Sequence, residues 1–532
     1  GASLRDPSLA PYVYHQTLVR EEEAVAMAVR RRLPAREQAG AGEAAGTGEA
    51  AGEAAGSGTE AAGLEHAFDE RLSTAQREAV AQCAAMGADA AAHGKDGRLG
   101  RLLVLTGGPG TGKTFSVREV VRAWRQQGKH VMLACPTARA ASVLSTSVGL
   151  PASTIHRLLE FNPQEKAFRR DKLNPLPADA VVIDEASMLD IHLAARFLEA
   201  LREECVVLFV GDANQLPSVG PGAVLHDLLG SPRVPRVELS GIFRQDPTGD
   251  IARNAALINC GVVPSHWRRA TAAQLDGILE PRPSGCLLVP ARSAAEAQRL
   301  LCGDVLRWLR GVGYNLQEEV QVLSPVKRGP AGTVQLNQRL KGELNRRSRA
   351  APPDGAAPDA ATSDSEADVR VTIGDHVIQL KNDYDSQVFN GDSGVVCAVR
   401  PEGRSYSFVV EFDARKGPTP LGEESEPVRV VYPRSALGKT VSLAYALTVH
   451  KSQGSEYEVV CMPVLREPPH PYMLFRNLLY TGLSRAKRLL VVVGTEDAIA
   501  NAVANQKAQA RRTMLRQRIS NDAFAPPTTR HL

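Results

Sequence analysis

From about residue 69 to 245, short unbroken apolar runs alternate with stretches whose apolar positions recur every three to four residues. The runs are Leu102–Leu105, Val131–Ala134, Val181–Ile183 and Val206–Val210. Short continuous apolar runs between helical patterns predict strands of a parallel sheet buried on both faces. The same alternation predicts a second α/β domain over 246–347 and 441–520, with Val320–Leu323, Val459–Pro463 and Leu489–Val493 as strands. Between its halves, 369–440 reads differently. Val371, Val377-Ile378, Gly394–Val396, Phe408–Val410 and Val428–Val431 are short runs separated by turn residues. They predict a small β-barrel inserted into the second domain.

Outside these regions the pattern weakens. Residues 11–33 carry helical periodicity, with Glu21–Glu23 acidic and Arg30–Arg32 basic, and read as the tail of an N-terminal helical element over 1–38. Residues 39–63 are almost wholly Ala, Gly and Glu, so 39–68 is expected to be a flexible linker. A second flexible insertion is expected at 348–368, rich in Pro, Ala, Ser and Asp. The stretch 498–520 carries Lys507, Arg511, Arg512, Arg516 and Arg518 without an acid. It reads as a solvated helix face or an extra phosphate-binding element.

A chain of 532 residues with 43% hydrophobic content supports several packed cores. Its net charge of +4 neither demands nor excludes nucleic acid, because a basic groove can hide in a near-neutral total. The eight cysteines are scattered without a C-x-x-C pair, which favours buried thiols in a reducing compartment over disulfides or zinc. No apolar run reaches the roughly 18 residues of a membrane span. The expectation is therefore a soluble intracellular protein that does not engage a membrane. The chain starts at Gly1 rather than at a methionine, so its natural start reads as missing.

The sharpest chemical signal is GGPGTGKT, Gly107–Thr114, between an apolar strand and a helical pattern. In a P-loop of this spacing, Gly107, Gly108, Pro109, Gly110, Thr111 and Gly112 turn backbone N–H groups onto phosphates. Lys113 adds charge at the outer phosphates, and the Thr114 hydroxyl faces Mg2+. ATP with Mg2+ is the expected ligand. Val181–Glu185 is an apolar strand ending in two acids, where Asp184 would hold the metal and Glu185 would polarise the attacking water. In Gly211–Pro217 (GDANQLP), Gln215 at the end of another strand would sense the γ-phosphate. Arg244 (Ile242–Gln245, IFRQ) and Arg485 (Leu483–Ala486, LSRA) would stabilise transition-state charge if they reach from the second domain, coupling hydrolysis to domain closure.

Taken in order, LSTAQ (Leu72–Gln76), GGPGTGKT, CPTARAA (Cys135–Ala141), STIHRLL (Ser153–Leu159), IDEASM (Ile183–Met188), GDANQLP, IFRQ, LTVHKSQGSE (Leu447–Glu456) and LYTGLSRA (Leu479–Ala486) resemble a superfamily 1 DNA helicase. Within it the chain is similar to the RecD-like branch, and above all to its stand-alone type. QVLSPVKRG (Gln321–Gly329), KNDY (Lys381–Tyr384) and VFNG (Val388–Gly391) sharpen the match, which runs from about 69 to 520.

The resemblance implies an α/β fold with two RecA-like motor domains, at 69–245 and at 246–347 with 441–520, and an SH3-like barrel at 369–440. It implies 5′→3′ movement on single-stranded DNA and at single-strand/duplex junctions, in repair or recombination. By the motif match Gln76 would read adenine, and Gly454 and Glu456 would sit near the nucleotide. Pro136, Thr137, His156, Lys327, Asn382, Thr448 and His450 would line the DNA path. Residues 161–178 occupy the place of a strand-separating hairpin, with Phe161, Phe168 and the basic Lys166, Arg169 and Arg170 suited to an apolar tip with phosphate contacts; a simple surface loop is the alternative. The stand-alone branch usually carries a longer N-terminal region with helix-hairpin-helix units, and none is found in this sequence. The alternatives are a nucleic-acid translocase that does not unwind and a regulatory subunit of a repair complex. Which repair proteins would be its partners is not legible from the sequence.

Overall fold

A computed structural model describes residues 15–34, 71–86, 100–240, 249–345, 369–383, 385–403, 405–412, 427–467, 473–506, 511 and 513–520. The expected linkers at 39–68 and 348–368 lie outside these residues, as does Arg244.

Six parallel strands form the first sheet. Across it they run Ala152–Thr154, Val131–Cys135, Ala180–Ile183, Val206–Gly211, Leu102–Gly107 and Arg236–Leu239. Successive side chains on a strand point to opposite faces, and the sheet shows why its central strands are apolar on both. Leu102, Val104, Val181, Ile183, Val207 and Phe209 join one core, whereas Leu103, Leu105, Ala180, Val182, Leu208 and Val210 join the other. Helices cover both faces.

The second sheet has the same character. Its parallel strands run Ala446–Thr448, Val320–Ser324, Tyr457–Val464, Ala486–Gly494, Gly285–Pro290 and Arg268–Arg269. Leu287, Val459, Cys461 and Val491 face one core, and Leu288, Val460, Met462 and Val492 face the other. The chain is thus an α/β protein with two parallel-sheet units.

Between the halves of the second unit lies an antiparallel five-stranded sheet, ordered Val428–Pro433, Ser405–Phe412, Ser393–Glu402, His376–Gln379 and Val441–Leu443. Its last strand begins just beyond residue 440. A buried ion pair fastens it to the second unit: Lys341, on the helix Thr333–Leu344, meets Asp375 at 2.6 Å.

The first and last described helices meet on the first unit. Helix Gln16–Arg32 inserts Val25, Ala26 and Val29 into the core of one face of the first sheet, beside Leu515 and Ile519 of the helix Leu515–Ser520. Arg518 pairs with Glu22 and Glu23 of the first helix. The C-terminal segment, expected with the second unit, packs here because its two apolar side chains complete this core.

All eight cysteines are free thiols, with Cys260 and Cys397 exposed. No helix among the described residues is long and apolar enough to cross a membrane.

Candidate nucleotide site and nucleic-acid face

The strand Leu102–Gly107 is wholly buried and delivers the chain into a loop that only glycine tolerates at two points. Gly110 and Gly112 have φ of 73° and 82°, the left-handed region. A Cβ on Gly107 would lie 2.7 Å from Thr111 Oγ1 and 2.8 Å from the Leu239 carbonyl oxygen, so the loop closes only with glycine there. Helix Lys113–Gln126 follows, its N-terminal N–H groups directed at the loop. Lys113 Nζ donates to the carbonyls of Gly107 and Gly108, both at 2.8 Å. Thr111 Oγ1 donates to Gly108. Gln76 is buried, and its amide joins two elements: Nε2 donates to the Thr111 carbonyl, and Oε1 accepts from Ser73 N–H.

The loop borders a cavity of about 430 Å³. Pro109, Gly110, Gly112, Lys113, Thr114, Asp184, Glu185 and Gln215 line it from the first unit, and Glu456, Ser484 and Arg485 from the second. Burial, together with the neighbouring Glu185 charge, pushes the Asp184 carboxyl up to about 7; the Glu185 N–H bond and the charge of Lys113 pull the other way. Glu185 itself has φ of 54°, a left-handed conformation that costs a non-glycine residue of order 1–3 kcal/mol and is typical of functional positions. The oxygen donors Thr114 and Asp184, on one cavity beside a helix N-terminus, suit a hard cation such as Mg2+.

Much of the joint between units passes through the turn that follows strand Val206–Gly211. Arg485 donates to Gln215 Oε1, Tyr480 OH donates to Asp212 Oδ2 at 2.8 Å, and Asn477 Nδ2 donates to the Asn214 carbonyl at 2.9 Å. Leu216 N–H donates to Thr481 Oγ1, and Gln453 Nε2 to the Leu216 carbonyl. Arg485 also holds the carbonyls of Ser455 and Thr481, leaving it buried on the cavity wall. The Tyr480 hydroxyl lies where a Cβ on Gly108 would be 3.3 Å away. One helix of the second unit, Arg476–Leu483, thereby touches both the phosphate loop and the Gln215 turn.

Residue-level sequence reasoning did not single out Asn477, Tyr480 or Thr481, nor Arg71 and Phe115, which line the cavity with Arg71 5.6 Å over the Phe115 ring. Tyr480 and Thr481 lie inside the quoted LYTGLSRA motif, and Asn477, Arg71 and Phe115 lie within two residues of quoted motifs, which was the signal available.

The residues expected along DNA are distributed over three parts of the molecule. Pro136 and Thr137 follow strand Val131–Cys135, and Thr137 caps the helix Ala138–Val148 by accepting from Ala140 N–H. Gly454 of the second unit fits against this cap: a Cβ there would stand 3.1 Å from Ala140 Cβ and 3.4 Å from Thr137 Oγ1. Thr448 caps the turn Val449–Ser452, which carries His450. Burial lowers the His450 pKa, and the charge of Lys327 lowers it further. Asn382, in the antiparallel insertion, accepts from Asn390 N–H.

His156 contacts Phe161 and Phe168 in a three-ring cluster, and burial lowers its pKa. Phe161 and Phe168 are paired directly across the hairpin strands. They therefore form the hairpin's base rather than the apolar tip expected, because packing on His156 buries more ring surface than a tip allows. The tip, 163–166, is Pro163, Gln164, Glu165 and Lys166.

Comparison with known proteins fits this geometry. Residues 71–274 match the family model of an AAA domain, and 443–493 that of a UvrD-like helicase C-terminal domain. The chain is 35% identical to an ATP-dependent RecD2 DNA helicase of Deinococcus radiodurans, over 79% of this chain and 50% of that protein. The chain thus spans about half the length of that relative. It is 32% identical to the RecBCD enzyme subunit RecD of Mycolicibacterium smegmatis, over 79% of this chain and 72% of that subunit. Among solved structures, a Pif1 helicase from Candida albicans aligns with 82% of this chain and 97% of its own, at 19% identity and a TM-score of 0.45.

Proposed function

Because the chain belongs to the RecD family of superfamily 1 helicases, we propose that it is an ATP-driven DNA motor that moves 5′→3′ on single strands and opens duplex at junctions, in repair or recombination. The observation that carries this reading is the composite cavity. Lys113, Thr114, Asp184, Glu185 and Gln215 come from one parallel-sheet unit, and Glu456, Ser484 and Arg485 from the other. A nucleotide gripped by both units changes their relative position when its outer phosphate is lost, which is how hydrolysis becomes movement.

In this reading Lys113 grips the outer phosphates with the ammonium it now shares between two loop carbonyls. Thr114 and Asp184 would hold Mg2+, which supplies charge neutralisation at the phosphates. Glu185 orients and deprotonates the attacking water. Arg485 brings transition-state charge stabilisation from the second unit and, through Gln215, reports the result to the turn at Asp212–Leu216. Arg244 is proposed as a second cation for the same charge. Gln76 reads the base with the amide that otherwise holds Thr111.

DNA would cross both units past Pro136 and Thr137 of the first and Thr448, His450 and Lys327 of the second, with His156 in its aromatic cluster and Asn382 on the insertion completing the path. The insertion is proposed as an SH3-like barrel. Five antiparallel strands with a helical turn, Arg434–Ala436, before a last strand that returns to His376–Gln379 support it.

The test is ATP hydrolysis by purified protein with and without single-stranded DNA, beside Lys113→Ala. Strong DNA stimulation, absent from the variant, is the expected result; duplexes with a 5′ or a 3′ overhang then give polarity. Hydrolysis indifferent to DNA, or unwinding retained by Lys113→Ala, would overturn the proposal. Hydrolysis stimulated by DNA without strand separation would reduce it to a translocase.

A further inference from the structure

Behind Gln215 lies a second cavity, of about 170 Å³. Gln215 lines both, so this residue stands between the nucleotide cavity and this one. Ser187, two residues beyond Glu185, forms one wall, and Asn477 of the second unit another. His226 on helix Val224–Gly230 and the C-terminal residues Arg511 and Arg516 complete it.

Two residues of this lining each carry a buried side-chain oxygen with unmet chemistry. Ser187 Oγ and Asn477 Oδ1 are buried and have no hydrogen-bond partner; the two residues are 9% and 5% exposed. A buried polar group left unpaired costs about 1–3 kcal/mol, so both oxygens favour an occupant of the cavity that reaches them. Asn477 spends its amide N–H groups on the carbonyls of Asn214 and Gln215, so only its acceptor is open. The occupant must therefore donate as well as accept.

The charge of the wall narrows the choice. Arg511 is held by the carbonyls of Ser218, Gly220 and Gly222 and by the Ser218 hydroxyl; the charge of Asp190 acts on it, but no carboxylate is bonded to it. Arg516 stands beside it on the same segment. Asp227 is the acid of the lining; it accepts from Thr513 Oγ1 at 2.8 Å, and burial pushes its carboxyl up to about 7. An anion that keeps an O–H fits this set: oxygens for the arginines and Ser187, a hydroxyl for Asn477. Inorganic phosphate at neutral pH is such an anion, whereas sulfate has no proton to give.

We propose that this cavity is the site through which inorganic phosphate leaves after hydrolysis, with Gln215 as its gate and the C-terminal segment as its outer wall. The inference rests on the hydrolytic reading above. As water adds to the γ-phosphorus and the bond to the β–γ bridging oxygen breaks, ADP stays on the loop and the free phosphate has Gln215 in front of it. Release of Gln215 from Arg485 opens the way, so phosphate departure and loosening of the joint between units are one event.

The experiment pairs quench-flow measurement of ATP cleavage with a fluorescent phosphate sensor in stopped flow, on wild type, Arg516→Glu and Ser187→Val. Arg516 is exposed, so its variant keeps the fold. The expected result is an unchanged cleavage burst with phosphate release about tenfold slower in Arg516→Glu, the loss of one charge-assisted contact. Calorimetric titration of inorganic phosphate and of sulfate onto the ADP-bound protein is the second arm. Phosphate should bind better than sulfate, and Arg516→Glu should weaken it. Unaltered release and unaltered phosphate affinity in both variants would overturn the site. Absence of cleavage in wild type would instead defeat the hydrolytic reading, and the titration would still decide whether the cavity takes phosphate.

Discussion

Arg485 donates to the side-chain oxygen of Gln215 across the joint between the two parallel-sheet units, 270 residues apart in sequence. Neither side chain is free to move without the other. Gln215 is further held by its Nε2 contact to Asp212, and Arg485 by the carbonyls of Ser455 and Thr481.

Arg485→Ala should lower the turnover number by a factor on the order of 10³ while nucleotide affinity changes far less, since its charge matters most as the phosphoryl group is transferred. Fluorescent-nucleotide binding beside steady-state kinetics separates the two. Loss of binding in proportion to turnover would mean a ground-state role. In the double variant with Gln215→Ala the losses should not add, because the residues act as one unit.

Tyr480→Phe is expected to weaken the coupling rather than the chemistry. Its hydroxyl satisfies Asp212, which is buried, and removing one partner of a buried carboxylate costs about 1–3 kcal/mol. Basal hydrolysis should persist while stimulation by single-stranded DNA falls. An unchanged stimulation ratio would show that this bond is packing alone.

The motor chemistry was legible in sequence because a P-loop and a strand-end acid pair are local patterns. Leu102–Leu105 and Val181–Ile183 announced both strands, and the residues after them followed. What escaped was non-local. Arg268–Arg269 pairs as an edge strand although both side chains are exposed, and Ala446–Thr448 is too short to carry a period. Gly285–Pro290 was missed although Pro281, Pro283, Ser284 and Pro290 punctuate its short apolar core, because the strand that flanks it on one side comes some 200 residues later. Tyr480 and Asn477 sit in the stretch that leads to and includes a quoted motif, yet their partners, Asp212 and Asn214, lie on another domain. A hairpin was one of two readings of 161–178, and its phenylalanines were assigned to the tip because nothing in sequence shows His156 beside them.

Lys341→Met should destabilise the second unit and its insertion together. The ion pair with Asp375 is 2.6 Å and nearly solvent-free, and Asp375 also accepts from Asn345 and Tyr445. Removing one partner leaves a buried charge uncompensated, at about 3–5 kcal/mol. Chemical denaturation should show that loss in the unfolding phase that includes the insertion. A change within about 0.5 kcal/mol would place the pair among those that contribute little to stability.

Asp227 gives the clearest dependence on pH. Its carboxyl is pushed up to about 7, first by burial and then by the charge of Glu22, against the hydroxyl of Thr513 and the charge of Arg516. In the unfolded chain it ionises near the model value of 3.8. Below that value both states are protonated and the group contributes nothing. Between it and about 7 the folded state holds a proton that the unfolded state has lost, so stability falls as pH rises and levels off above the folded pKa. Glu22, also raised by burial, acts in the same direction. Asp227→Asn keeps an acceptor for Thr513 but cannot ionise, so relative to wild type it should gain stability from pH 5 to pH 8, by more than about 1 kcal/mol. Urea denaturation at the two pH values measures that difference. An offset that is equal at both would show that Asp227 is ionised throughout, and that Arg516 compensates it more fully than burial opposes it.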